Sequence, residues 1–165
     1  QLDDLGNNRV KVFGIKGMPE TDSYKVSCSY SAGYSASGSL TYSWPQALTK
    51  AKAADAILRK RLENLNLKFD EIRTEFIGHN ACHGPLSKQL PEENINEVVF
   101  RIAVRSDDYK SVERFGKEIA PLVLTGPPSV TGFAGGRPKP SEVVAYWPAL
   151  IPKTLVKPVV EILEI

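Results

Sequence analysis

Between Thr74 and Pro85 the sequence reads TEFIGHNACHGP, a stretch that holds both histidines of the chain, His79 and His83, together with Cys82 and Asn80. Two histidines four residues apart share one face of a helix, as in the HExxH metal pair, where the glutamate serves as base. Here position 80 is Asn, and Gly78, Gly84 and Pro85 speak against a helix. Cys82, His79 and His83 would give a loop three zinc donors, one short of a structural site. The expectation is therefore no metal and no cofactor. A thiol beside an imidazole is also the pairing of a nucleophile with its base. His79, Asn80, Cys82 and His83 are accordingly the candidate catalytic residues. The simpler alternative is a tight turn that ends a strand, since Gly, Asn and Pro are turn formers for reasons of their own backbone chemistry.

A second candidate is TGFAGGRPKP, residues 131–140. Gly135 and Gly136 can expose backbone N–H groups, and Arg137 adds a guanidinium, a combination that suits a carboxylate or phosphate. No Lys-Ser/Thr follows, so it is not a P-loop, and no strand-turn-helix surrounds it, so it is not a dinucleotide fingerprint. Gly135, Gly136 and Arg137 are the candidate ligand-binding residues. A third group, Ser27, Ser29, Ser31, Ser37, Ser39 and Ser43, lines one face of a period-two pattern but lacks the Gly-x-Ser-x-Gly elbow of a serine nucleophile. It reads as a solvated outer sheet face, or one covered by another domain.

The elements that would position these groups follow from periodicity. Arg9–Ile15 alternates as a short strand. Tyr24, Val26, Cys28 and Tyr30 form an apolar face opposite serines, which places Cys28 in the core. Gly33 allows a turn or bulge, and Leu40, Tyr42 and Trp44 resume the alternation, which together suggests a long hairpin. Pro45 suits a helix start. Ala47, Leu48, Ala51, Ala54, Leu58, Leu62 and Leu65 then follow helical spacing. Ile72, Thr74 and Phe76 predict a strand. Val98, Phe100, Ile102 and Val104 give the clearest strand signal, with Arg101 and Arg105 on its polar side, expected to pair with acids. Ser106 or Asp107 would cap a second helix whose buried stripe is Val112, Phe115 and Ile119. That helix would kink or end near Pro121. The Gly- and Pro-rich stretch that follows predicts no regular structure before a last strand at about residues 142–147. The tail reads as an edge strand or as an arm toward a neighbour. The order implies an α+β fold: a two-layer sandwich of an antiparallel or mixed sheet with two helices on one face. Its centre would be a ferredoxin-like βαββαβ core extended by N-terminal strands.

Composition narrows the function classes. The 165 residues are 42% hydrophobic and 24% charged, with a net charge of +2 spread without long runs. This matches a single soluble domain, 1–165. A nucleic-acid binder would show a basic stripe. No apolar run nears the ~20 residues of a membrane span. Neither nucleic acid nor membrane is expected as a partner. Two cysteines are too few for a disulfide scaffold, and a cytoplasmic setting is the default. The first residue is Gln, which suggests a piece of a longer protein.

Three stretches carry a resemblance: VFGIKGMPETDSYKVSCSYSAGYSASGSL, EFIGHNACHG and LTGPPSVTGFAGGRPKPSEVVAYWPALIPKTLV. Together they resemble the acyclic terpene utilisation (AtuA-like) family over nearly the whole chain. The resemblance implies the C-terminal part of that family's main region, with an α/β portion before it as partner. It also implies a link to catabolism of citronellol- and geraniol-type isoprenoids through CoA thioesters. An anion or acyl-CoA surface on the 135–137 loop and a homo-oligomer are the matching expectations. A non-enzymatic assembly module is the alternative. The resemblance carries no catalytic residues with it.

Overall fold

The computed structural model of the chain describes residues 1–88, 90–133 and 135–163. It divides into two compact units, Gln1–Cys28 with Tyr146–Ile165, and Ser29–Ala145. The second unit carries the hydrophobic core.

The chain begins with β1 (Leu2–Asp4) and β2 (Val10–Val12), which pair antiparallel as a two-stranded sheet of their own. These strands therefore do not extend the main sheet, as the periodicity suggested. β3 (Ser23–Ser43) is one strand of 21 residues, where a hairpin was expected. Gly33 explains the difference. It has φ +82°, and a Cβ there would stand 2.7 Å from the Ser106 carbonyl oxygen. The glycine thus lets the strand pass a neighbouring backbone rather than reverse. The supposed apolar face before it is largely open to solvent, and Cys28 is exposed rather than core.

α1 (Ala47–Asn64) begins two residues after Pro45. Its three fully buried alanines, Ala47, Ala51 and Ala54, present no bulk and let the helix lie close on the sheet. At its N-terminus the Glu92 carboxylate accepts from the Thr49 N–H at 2.7 Å and from the Thr49 hydroxyl at 2.8 Å. These two bonds satisfy a helix-end donor and hold the Glu92 carboxyl below the usual range. β4 (Glu71–Ile77) and β5 (Glu97–Ser106) follow. The cap of α2 (Tyr109–Ile119) is Asp108, not Ser106 or Asp107; it accepts from the Lys110 N–H at 3.0 Å. Pro121 does not merely end α2 but opens a short α3 (Pro121–Thr125), where its missing N–H costs nothing. β6 (Val130–Thr131) interrupts the Gly- and Pro-rich stretch, and β7 (Ser141–Pro152) is longer than its alternation suggested. Residues 156–163 form no strand.

The main sheet runs β4-β5-β3-β6, with β7 also pairing β3, and every pair whose register is described is antiparallel. The strict alternation of β5 sends Val98, Phe100, Ile102 and Val104 to one face. There they meet α1 and α2 in one cluster with Leu40, Tyr42, Leu58, Val112 and Phe115. The fold is thus α+β, a mostly antiparallel sheet with two helices against one face. Burial pushes the Tyr42 phenol up to about 12, so it stays protonated near neutrality; its hydroxyl has no partner among the described residues. Arg61 and Arg114 clasp the buried Glu118 carboxylate at 2.6 and 2.7 Å, joining α1 to α2. No helix among the described residues is long and apolar enough to cross a membrane.

Candidate functional site

The sheet face turned away from the helices is polar by register. Ser39, Arg101 and Glu75 stand in one row across three strands, and Ser37, Ala103 and Arg73 in the next. The Arg101 Nε donates to Glu75 at 2.6 Å, its Nη2 is also paired with that carboxylate, and Arg73 reaches the other Glu75 oxygen at 2.9 Å. The Arg101 hydrogen bond is the main reason the Glu75 carboxyl lies below its ordinary value. Arg105 likewise pairs with Glu71 at 3.1 Å and Asp70 at 3.5 Å. Both arginines thus meet acids, as expected of that strand face.

After β6 the chain turns at Gly132 and runs along β3 before β7 begins. Two glycines on other elements fix its path. A Cβ at Gly38 in β3 would lie 2.9 Å from the Pro138 ring, and a Cβ at Gly116 in α2 would overlap the Pro138 carbonyl oxygen. Pro138 is therefore wedged between sheet and helix at a place where neither presents a side chain. The wedge divides the surroundings of the loop in two. On the sheet side is a cleft of about 140 Å³ lined by Ser37, Ser39, Arg101, Phe133, Gly135 and Gly136, among others. On the helix side is a groove of about 300 Å³ walled by Tyr109, Glu113, Lys117, Arg137 and Lys139. A neighbouring hollow of about 220 Å³ shares Lys117 and Arg137 with it and continues over Ala120, Pro121 and Leu124.

The three ligand-binding candidates are thus split. Gly135 and Gly136 face the sheet-side cleft, while Arg137 belongs to the helix-side groove. Lys117 pairs with Glu113 at 3.3 Å. Among the described residues Arg137 and Lys139 have no carboxylate partner. The Tyr109 ring, 48% exposed, is steadied by an edge contact with Tyr34 at 5.2 Å. A net positive pole and an aromatic plate thus share one groove, and an apolar continuation adjoins it through Lys117 and Arg137. Ser37 and Ser39 were weighed in the sequence as part of a solvated serine face, and Lys139 stood within the TGFAGGRPKP stretch without a role of its own. Arg101, Lys117 and Tyr109 were not singled out as site residues, and they become neighbours of the loop only through register and through the Pro138 wedge.

His79, Asn80, Cys82 and His83 lie in the turn after β4. The N–H groups of His79 and Asn80 donate to the Phe76 carbonyl at 3.1 and 3.2 Å, and the Gly84 N–H donates to the Asn80 carbonyl at 2.8 Å. His79 and Asn80 are half-buried; Cys82 and His83 are exposed. The turn follows β4, one end of the strand order, and none of its residues lines the cleft, the groove or the hollow that flank the 135–137 loop. Among the described residues no group of three or more His, Cys, Asp or Glu is placed to hold a metal ion.

Comparison with known proteins gives one match. The family model described as acyclic terpene utilisation family protein AtuA covers residues 1–162. The chain belongs to this AtuA family. Membership ties it to acyclic terpene utilisation and accords with the resemblance carried by the three stretches quoted above. Neither curated proteins nor solved structures yield a match. For this AtuA family member the chemistry must therefore be argued from its own groove, cleft and turn.

Proposed function

We propose that this chain is the C-terminal α+β part of a longer AtuA-family protein and supplies a binding surface for an acyl-CoA in branched-isoprenoid catabolism. The single observation that carries this reading is Arg137. It stands at the junction of a basic, aromatic groove and an apolar hollow, without a carboxylate of its own. An acyl-CoA has the matching polarity: phosphates and a flat base at one end, a thioester-linked hydrocarbon at the other. Arg137, Lys139 and Lys117 would take the phosphates, Tyr109 the base, and the Leu124 side the apolar arm. The strand order supports reading the cored unit as ferredoxin-like, since β3, β4, β5 and β6 stand in the 2-3-1-4 sequence of a βαββαβ core. No step is routed through His79 or His83, which line neither the groove nor the hollow.

The test is calorimetric. Unesterified coenzyme A titrated into the chain is expected to bind, and Arg137→Ala to bind at least tenfold more weakly. That is the loss of one charge-assisted contact, about 1.5–3 kcal/mol. Equal affinity for both proteins, or heat from neither, sinks the reading.

A second reading, assembly, has an observation in its favour. In the terminal unit Ile15, Met18, Val159, Val160, Ile162 and Leu163 are all at least 80% exposed. Exposed apolar residues that form one patch commonly mark a contact surface, and the assembly reading assigns these residues to it. On this reading the chain forms a homo-oligomer, and light scattering at micromolar concentration gives a mass above one chain; a strictly monomeric mass excludes it.

A further inference from the structure

We propose that the sheet-side cleft is a separate site for the carboxylate of a short-chain monocarboxylic acid, held by Arg101, Ser37 and Ser39. Arg101 spends its Nε edge on Glu75. Among the described residues its Nη1 has no acceptor, and Arg101 lines the cleft. A guanidinium bound along one edge and open at its end is oriented in advance for a planar two-oxygen acceptor. The local charge agrees. Arg73 and Arg101 share the one carboxylate of Glu75, which leaves one positive charge in excess. That balance matches a monoanion better than a phosphate dianion. Ser37 and Ser39 lie on the same face as Arg101 and are exposed. Neither hydroxyl is bonded to another described residue, so both are available to donate.

Size and lining limit the rest of the ligand. A cavity of about 150 Å³ holds a benzene molecule, so a cleft of about 140 Å³ suits roughly six heavy atoms. Phe133 and Pro138 give one apolar wall against which a short hydrocarbon chain can lie. This site does not depend on the CoA groove, because the Pro138 wedge stands between them and they share no charged residue.

The probe is sodium butyrate, six heavy atoms, followed by amide NMR at constant ionic strength. Saturable shifts are expected at Ser37–Ser39, Arg101, Gly132, Phe133, Gly135 and Gly136. Neutral butyramide should give none. Arg101→Lys keeps the charge but loses the fork, and should weaken binding at least tenfold. Ser39→Ala should weaken it roughly threefold and provides the readout if the arginine variant fails to fold. Absence of saturable shifts, equal response to butyramide, or unchanged affinity in a folded Arg101→Lys variant overturns the proposal. So does tighter binding of inorganic phosphate at the same residues, which would make the cleft a phosphate site. Butyrate reports this cleft and coenzyme A the groove, so either reading can fail alone.

Discussion

Gly116→Ala is expected to destabilise the cored unit by about 1–3 kcal/mol, the cost of forcing extra bulk into a filled site. This runs against helix propensity. Gly to Ala inside a helix ordinarily gains about 1 kcal/mol. At Gly116 the new methyl would overlap the Pro138 carbonyl oxygen, a backbone atom that cannot rotate aside. Either α2 moves off the loop or the loop moves off α2. At roughly 2–4 °C per kcal/mol for a chain of this size, the thermal midpoint should fall by about 2–12 °C. Gly135→Ala is the control, because nothing lies within 4 Å of its added Cβ. It should change stability by less than about 0.5 kcal/mol. The same displacement would shift Arg137 on one side of the wedge and Gly136 on the other, so Gly116→Ala should also weaken coenzyme A binding. A raised midpoint in Gly116→Ala would mean that Pro138 is not held against the helix.

Phe115→Ala has the largest expected effect on stability, a loss of about 3–5 kcal/mol. The ring is fully buried and meets Phe69 edge-on at 6.2 Å. It anchors α2 one residue before the glycine that admits Pro138, on the helix that also carries Tyr109, Glu113 and Lys117. Truncation therefore removes both transfer energy and the support beneath the groove wall. The denaturant midpoint should drop sharply with little change in slope, the sign of lost stability rather than altered compactness. Phe115→Leu should recover most of the loss. A midpoint within experimental scatter of the parent would show that α2 does not close the core as described.

What the sequence disclosed was governed by local rules. The period-two alternation of 97–105 placed β5 and its buried face, and the alanine spacing of 47–62 placed α1 against the sheet. Local rules failed where a distant atom decided the outcome. Gly33 carries the same letter in a turn and in a strand that must pass Ser106, so a hairpin and a continuous β3 are indistinguishable from composition. Cys28 sits on an alternating apolar face, but alternation says only that two faces differ, not that either is covered. The candidate loop was visible as Gly-Gly-Arg. Its division into two sides was not, because the wedge is made of Gly38 and Gly116, residues 78 positions apart in a different strand and helix. Arg101 was read as a partner for an acid, and it is one. Its place beside Ser39 and the loop follows only from the pairing of β3 with β5.

The most direct test of the account is a residue-resolved titration of the chain with adenosine 3′,5′-bisphosphate, the base and phosphate portion of coenzyme A. Saturable amide shifts are expected only at Tyr109, Glu113, Lys117, Arg137 and Lys139, fading as salt is raised. Shifts scattered over every surface lysine, or a saturable response centred on the His79–His83 turn, would contradict it.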